Sequence, residues 1–290
     1  MNRRILIILL FLLSLSVTNA QLLWKISGNG LKHPSYLFGN QRFISIQFLD
    51  SVPGLYKAFN ECNTVVGEVD INNIEATAKI QEAAIMPNHQ NIKNLLNEEE
   101  YKLVDNELKS VLKFGLKEVS IMNPSLILTL YEMELYKKLT GLSEITQSDS
   151  YFQLVAAEKD KKIIGLETIN QQIKILFGNS SLKRQAEILV ESIQHKESIL
   201  SEINKLNNLY KRGKIEELIN LTKSKDNISK ITQDEFVQLV DDRNSDWMTK
   251  LPTIIKNSSC FIAVGALHLG GKNGLIKLLE KAGFKVKAVN

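Results

Sequence analysis

The chain has 290 residues, 44% of them hydrophobic and 23% charged, an ordinary globular composition that suffices for one large domain. The formal net charge is +4, and there is no basic stripe with interleaved aromatic residues, so nucleic acid is not an expected partner. Beyond residue 20, no apolar run reaches the roughly 18 residues that a membrane-spanning helix needs.

The first twenty residues have the pattern of a secretory signal peptide. Arg3 and Arg4 precede the unbroken apolar run Ile5–Leu13, and Thr18–Ala20 places small residues at the usual cleavage offsets. We therefore expect a mature chain that begins near Gln21 and an exported protein, periplasmic or extracellular, which meets the membrane only through export. The alternative is an uncleaved anchor, which the shortness of the run disfavours. Cleavage removes two arginines and no acids, so the net charge of +4 becomes +2.

The first part of the mature chain predicts a β-hairpin and a third strand. Leu22–Ile26 and Tyr36–Phe38 are short apolar runs on either side of a Gly- and Asn-rich loop, the pattern of two paired strands. Val65–Val69 predicts the next strand. The hairpin is apolar, and a free edge on it is a candidate surface for joining a partner.

A long helical stretch follows, from about residue 74 to 138. Asn97 precedes three glutamates and is placed to cap one helix, because its side chain can accept from the first free N–H groups and the acids suit the positive end. Pro124, directly after Asn123, predicts the first turn of another helix.

The second half of the chain alternates strands with helices. Lys162–Leu166 predicts a buried strand, and residues 170–250 are helical and highly charged. Cys260–Val264, Gly274–Ala282 and Phe284–Val289 predict a terminal β-α-β unit. The whole pattern indicates a single α/β domain over residues 21–290, with a mixed central sheet and long helical insertions.

Two cysteines, Cys62 and Cys260, each stand just before a predicted strand. If those strands are neighbours, a spacing of about 4.8 Å falls within the range that a disulfide can bridge, and export permits one. The alternative is a pair of buried, reduced thiols.

Charged and polar residues stand at the predicted strand ends, where the sites of open α/β sheets gather. Four strand ends present Arg42, Glu68, Glu167 and His268, and one helix adds Arg243 and Asn244. The expected roles are catalytic for Glu68, Glu167 and Arg243, binding for Arg42 and Asn244, and metal ligation for His268 and Glu68.

Each of these residues also has a plain structural interpretation. Glu68 can point outward into solvent, Glu167 can cap the following helix, His268 can be a satisfied core histidine, and Arg243 can lie on a charged helix surface. The remaining histidines, His33, His89 and His195, are expected to be exposed to solvent. Only the convergence of Arg42, Glu68, Glu167 and His268 at the predicted strand ends favours a site.

At these residues the chain resembles the TraB/GumN family over most of its mature length. The similar stretches are Leu23–Ile26 with Ser35–Gly39, Val65–Asp70, Gly165–Thr168 with Gln171 and Gln172, Arg243–Asn244 with Trp247, and Ala263–Leu269 with Gly271, Gly274 and Leu275. The family is related to the Tiki metal-dependent peptidases. The resemblance implies a divalent metal, such as manganese, calcium or zinc, held by two Gly-x-x-His motifs and a glutamate, where it would polarise a carbonyl and activate water.

The first of the two motifs departs from that pattern, because it reads Gly39-Asn40-Gln41-Arg42. Arginine is always protonated and has no lone pair to offer a metal. Its charge would also repel a cation by about 4 kcal/mol per unit charge at close range. Two hypotheses follow. One is a metal-dependent hydrolase of peptidase type that acts on a peptide or protein. The other is a non-catalytic peptide- or ligand-binding protein in which Arg42 pairs with Glu68.

Overall fold

The computed structural model describes residues 21–142, 148–178, 180–224 and 231–290, so the predicted signal peptide lies outside the described residues. Within them the chain forms one six-stranded sheet surrounded by helices, which confirms the predicted α/β class. The strands are β1 Leu23–Ser27, β2 Ser35–Asn40, β3 Thr64–Val69, β4 Lys162–Glu167, β5 Cys260–Gly265 and β6 Lys285–Ala288.

The strand order is β4-β3-β5-β2-β1-β6. The four strands β4, β3, β5 and β2 are parallel to one another, and β1 is antiparallel to both β2 and β6. The predicted terminal strand, helix and strand are present as β5, α13 and β6, and β6 runs parallel to β5, but β2 and β1 lie between these two strands in the sheet. Both edges of β1 are used, so the expected free hairpin edge is absent from the described sheet.

The helices alternate with these strands or form long insertions between them. They are α1 Leu55–Glu61, α2 Ile74–Ala83, α3 Glu98–Leu112, α4 Pro124–Thr140, α5 Ser148–Glu158, α6 Ile169–Ile173, α7 Leu182–Gln194, α8 Lys196–Lys211, α9 Ile215–Thr222, α10 Gln233–Phe236, α11 Asp242–Met248, α12 Leu251–Asn257 and α13 Leu275–Lys281. Single π-helical turns at Lys174–Gly178 and Val237–Asp241 extend α6 and α10. No helix within the described ranges is long and apolar enough to cross a membrane.

Local sequence explains where several of these helices begin. Asn97 and Glu100 form a reciprocal capping box at the start of α3, with both hydrogen bonds present. Pro124 occupies the first turn of α4 after the cap Asn123. At α6 the cap is Thr168, not Glu167, and this leaves the Glu167 carboxylate available for contacts elsewhere.

Two hydrophobic clusters divide the molecule. The larger one surrounds the sheet and includes Phe38, Phe152 and Phe261, whereas the second holds α3, α4 and α7 together as a helical lobe. Helix α8 joins the two, because Asn207 donates to the Phe43 carbonyl and to the Tyr136 hydroxyl, both at 2.8 Å. The lobe is thereby fixed beside the end of β2.

Both cysteines are free, buried thiols. Burial raises the pKa of Cys62 and of Cys260 to about 12. The second of the two alternatives, a pair of reduced thiols, is the one that the structure contains.

Candidate functional site

The sheet register brings four strand ends to one edge. Asn40 of β2 pairs with Gly265 of β5, and Val69 of β3 pairs with Glu167 of β4. Since β3 also lies beside β5, the residues at the carboxyl ends of all four strands converge there. At this edge the structure gathers Glu68, Glu167 and His268, together with Arg243 and Asn244 from α11.

Arg243 is the centre of the cluster. Its Nε donates to Glu167 Oε1 at 2.6 Å, and its Nη2 donates to Glu167 Oε2 at 3.1 Å and to Glu68 Oε2 at 2.5 Å. The first two bonds form the bidentate fork that a guanidinium makes with a carboxylate. The side chain of Arg243 is only 12% exposed, so the surface interpretation of this residue is wrong.

The remaining donors of Arg243 are also engaged. Nη1 donates to the Leu239 carbonyl at 3.1 Å and contacts His268 Nε2 at 3.2 Å. Nη2 also donates to Gln172 Oε1 at 3.4 Å. A guanidinium has five N–H groups, one on Nε and two on each terminal nitrogen, and each nitrogen has at least as many protein partners as protons. Arg243 therefore has no donor left for a bound anion in this arrangement.

Glu68 lies between two strand ends. Its Oε1 accepts from the Gly265 N–H at 2.8 Å, while Oε2 takes Arg243. Burial disfavours the charged form, but His268, Arg243 and the Gly265 N–H together more than offset it, so the pKa of Glu68 lies below its usual value. Glu68 is an ionised, inward-facing group, and the outward interpretation is wrong.

Glu167 is the most deeply buried acid of the cluster, with a side chain 3% exposed. Besides Arg243, its Oε1 accepts from the indole Nε1 of Trp247 at 2.9 Å. The Trp247 ring also packs against two other side chains: its centroid lies 4.4 Å from the centroid of the His268 ring and 4.9 Å from the guanidinium carbon of Arg243. One tryptophan on α11 thus fixes the positions of an acid, a base and the central cation.

His268 is 4% exposed and held from both sides. Its Nδ1 contacts Asn244 Oδ1 at 2.8 Å, and its Nε2 contacts Arg243. Burial and the Arg243 charge lower the pKa of His268 to about 4, although Glu68 acts in the opposite direction. The ring is therefore neutral near pH 7. Its backbone turn packs closely on β2, because a Cβ on Gly39 would lie 2.8 Å from Leu269 and 3.1 Å from the Ala266 Cα.

Arg42 is not part of this cluster. It is exposed, and within the described part of the chain it forms no ion pair with Glu68, so the expected Arg42–Glu68 contact is wrong. The physical reason is twofold: Arg243 already occupies Glu68, and the chain after β2 turns toward α4. There the charge of Arg42 acts on Glu132, whose pKa burial raises to about 7 and Arg42 partly lowers.

The other histidines stand apart from the cluster. His33 and His195 are exposed, as predicted. The side chain of His89 lies outside the part of the structure that is described.

The fit of a divalent metal can be tested on the donor atoms themselves. Both oxygens of Glu68, both oxygens of Glu167 and both ring nitrogens of His268 face protein hydrogen-bond partners. Among the described residues, no three His, Cys, Asp or Glu side chains form a group that could hold a metal ion. With Arg243 in the centre, these residues do not fit a divalent ion, because its place is taken by a fixed positive charge.

A pocket of about 440 Å³ opens onto the cluster. Glu167 and Arg243 line it, and the rest of its lining comes from two segments that carry the π-helical turns: Gln171, Lys174 and Ile175 from one, and Gln238, Asp242 and Asp246 from the other. Lys174 and Gln238 carry no signal in the sequence, because nothing in a charged helical stretch distinguishes a pocket residue from a solvated one. The same holds for the buried Glu132 on α4.

The chain was compared with known protein families, curated proteins and solved structures. The model of the TraB/PrgY/gumN family matches residues 22–288, nearly the whole described chain. Searches of the curated proteins and of the solved structures found no match.

Proposed function

The chain belongs to the TraB/PrgY/gumN family, and on that premise we propose that it is an exported ligand-binding protein that does not hydrolyse what it binds. Its ligand is a peptide, held at the carboxyl edge of the sheet. The observation that carries the proposal is the complete engagement of the Arg243 guanidinium by protein acceptors: Glu68, Glu167, Gln172, His268 and the Leu239 carbonyl.

A cluster whose polar groups all have hydrogen-bond partners within the protein supports binding better than catalysis. A hydrolytic site needs a base with a free lone pair, or a cation with an open position, facing the substrate. Here each carboxylate oxygen and each ring nitrogen already faces a protein partner, namely Arg243, Trp247, Asn244 or the Gly265 N–H, and buried groups with satisfied partners contribute rigidity instead of reactivity. The cluster forms the rigid base of the pocket, and the other residues that line the pocket supply the surface that a ligand contacts.

A second candidate function, metal-dependent hydrolysis, is favoured by the charge of the cluster. Two carboxylates and one guanidinium leave one negative charge in excess beside a neutral His268, whose Nε2 lone pair faces inward. Arg243 occupies the space between these groups in this structure, so hydrolysis of this kind would require Arg243 to leave the cluster.

Metal content decides between the two candidates. Purified mature protein would be offered manganese, zinc and calcium, dialysed and measured by elemental mass spectrometry, alongside His268→Ala and the matched control His195→Ala, which changes an exposed histidine. Incubation with a mixture of peptides, followed by mass spectrometry, would report cleavage. The binding proposal predicts no stoichiometric metal and intact peptides.

Near-stoichiometric metal that is lost in His268→Ala but kept in His195→Ala, together with cleavage, would replace the proposal with the hydrolase. Two further variants sharpen the result. Arg243→Ala removes the internal cation, and Arg42→His restores the family motif. If either variant gains metal that the parent lacks, the arginines are what exclude it.

Export is tested separately. N-terminal sequencing of protein recovered from outside the cytoplasm of expressing cells should give a chain that begins near Gln21. Recovery of the full-length chain from the membrane fraction would show an anchor instead.

A further inference from the structure

The pocket beside the cluster has the size of a small-ligand site and a polar lining, in which Ile175 is the one apolar residue among those described. Its volume of about 440 Å³ lies in the lower half of the roughly 300–1,000 Å³ that ligand pockets occupy. Its base is made of Glu167 and Arg243, which satisfy each other. Discrimination between ligands therefore falls to the residues of the two lining segments.

Each lining segment contains a π-helical turn, Lys174–Gly178 in one and Val237–Asp241 in the other. Such turns are rare and occur frequently at functional sites. In the second segment the turn also brings the Leu239 carbonyl to Arg243, which links the wall of the pocket to its base. Two of these turns at one pocket indicate that the backbone there is shaped for a site and not only for helix continuity.

The free polar groups of the pocket have opposite charges on the two segments. Within the described residues, the side chains of Lys174, Gln238 and Asp242 form no hydrogen bond and no ion pair. Lys174 belongs to one segment, and Asp242 and Asp246 belong to the other. Asp246 has one partner, Lys250, at 3.7 Å. The pocket therefore offers an ammonium, an amide and carboxylates that have no strong partner of their own.

We infer that this pocket binds a small zwitterion, a molecule of short-peptide size whose free carboxylate meets Lys174 and whose free ammonium meets Asp242. This inference rests on the proposed binding function and names its ligand class. The amide of Gln238 would serve a peptide group between the two ends. A polyanion is disfavoured by the two aspartates, and an apolar ligand finds only Ile175 among the lining residues.

Peptides with free and blocked ends test the inference. Trialanine, N-acetyl-trialanine and trialanine amide would be titrated into the mature protein by calorimetry, together with an extended decapeptide blocked at both ends. Trialanine should bind most tightly, and each block should weaken binding by about two- to fivefold, the range expected for an exposed charge pair.

Variants assign each end to its residue. Lys174→Gln should remove the preference for a free carboxylate and leave that for a free ammonium, and Asp242→Asn should do the reverse. Lys174 and Asp242 are exposed, so neither change should affect folding. The matched controls Lys256→Gln and Glu158→Gln change exposed charges outside the pocket lining and should leave all the affinities unchanged.

The outcomes separate the inference from the function beneath it. Equal binding of blocked and free peptides, or affinities that Lys174→Gln and Asp242→Asn leave unchanged, would overturn the zwitterion while the binding function stands. Binding of the decapeptide but not of trialanine would do the same. If neither trialanine, its blocked forms nor the decapeptide binds, both the inference and the proposed function fail.

Discussion

The side-chain oxygen of Asn244 lies 2.8 Å from Nδ1 of His268, and this contact sets the proton position on the imidazole. The amide nitrogen of Asn244 donates to the carbonyls of His268 and Asn273 at 3.2 and 2.8 Å, so its oxygen must be the atom that faces the ring. Nδ1 therefore carries the proton, and Nε2 accepts from Arg243. A second ring proton would point directly at the guanidinium.

Nitrogen NMR of the imidazole should show that tautomer. We expect His268 to remain in the neutral, Nδ1-protonated form down to about pH 4, because burial and Arg243 lower its pKa to about 4. Two-bond proton–nitrogen spectra recorded from pH 8 to pH 4 would measure it, with the signal assigned by its loss in His268→Gln. A ring that is protonated at pH 6, or that carries its proton on Nε2, would contradict the hydrogen-bond scheme.

The same depressed pKa makes stability depend on pH. The unfolded chain takes up a proton on His268 at its usual pKa of 6.5, whereas the folded chain does so only near 4. Stability is therefore fully present above pH 6.5 and is lost as the pH falls toward 4, by roughly 3 kcal/mol for this one group. Urea unfolding at intervals across that window should show the loss, and His268→Gln should abolish this contribution. An unchanged pH slope in the variant would mean that other groups cause it.

Glu132 should change the stability with pH in the direction opposite to that of His268. Its pKa rises from 4.5 to about 7, mainly through burial, with Arg42 reducing the shift. The folded state holds this proton where the unfolded state has lost it, so stability falls as the pH rises from 4.5 to 7. Glu132→Gln should therefore stabilise the protein at pH 8 by roughly 1–3 kcal/mol more than at pH 4. Glu134→Gln, on the same helix, is the control. Equal effects of Glu132→Gln at both pH values would contradict the prediction.

The strand ends were the part of the site that sequence could predict. Apolar runs followed by Glu68, Glu167 and His268 have a local signature, and parallel pairing then brings them to one edge. The position of Arg42 outside the cluster had no such local signature. Its neighbours depend on how α4 and α8 pack beside β2, a contact between segments about 90 to 165 residues apart in sequence, which no local pattern encodes. Strand order was likewise out of reach, because β1 pairs with β6 from the other end of the chain, and no local pattern encodes so distant a contact.

The two cysteines should be reduced but unreactive in the native protein. The thiolate is the reactive form, and burial holds the pKa of both Cys62 and Cys260 near 12. N-ethylmaleimide at pH 8 should label neither residue in the folded chain and both in urea without reductant, as measured by intact mass. If the unfolded chain is labelled only after reduction, the two residues form a disulfide.

Substitutions in the charge network around Arg243 should have strongly non-additive effects on the free energy of unfolding. Arg243→Gln alone leaves Glu68 and Glu167 facing each other without their shared cation, and breaking a buried ion pair in this way costs about 3–5 kcal/mol. Replacing all three residues by glutamine removes every charge, so the triple variant should be more stable than the single one, with much of the loss recovered. Arg212→Gln, which changes an exposed arginine, should shift the free energy of unfolding by less than about 0.5 kcal/mol. Urea unfolding at pH 7 measures all three variants. If the triple variant is no more stable than Arg243→Gln, the cost arises from lost packing around Trp247 and not from uncompensated charge.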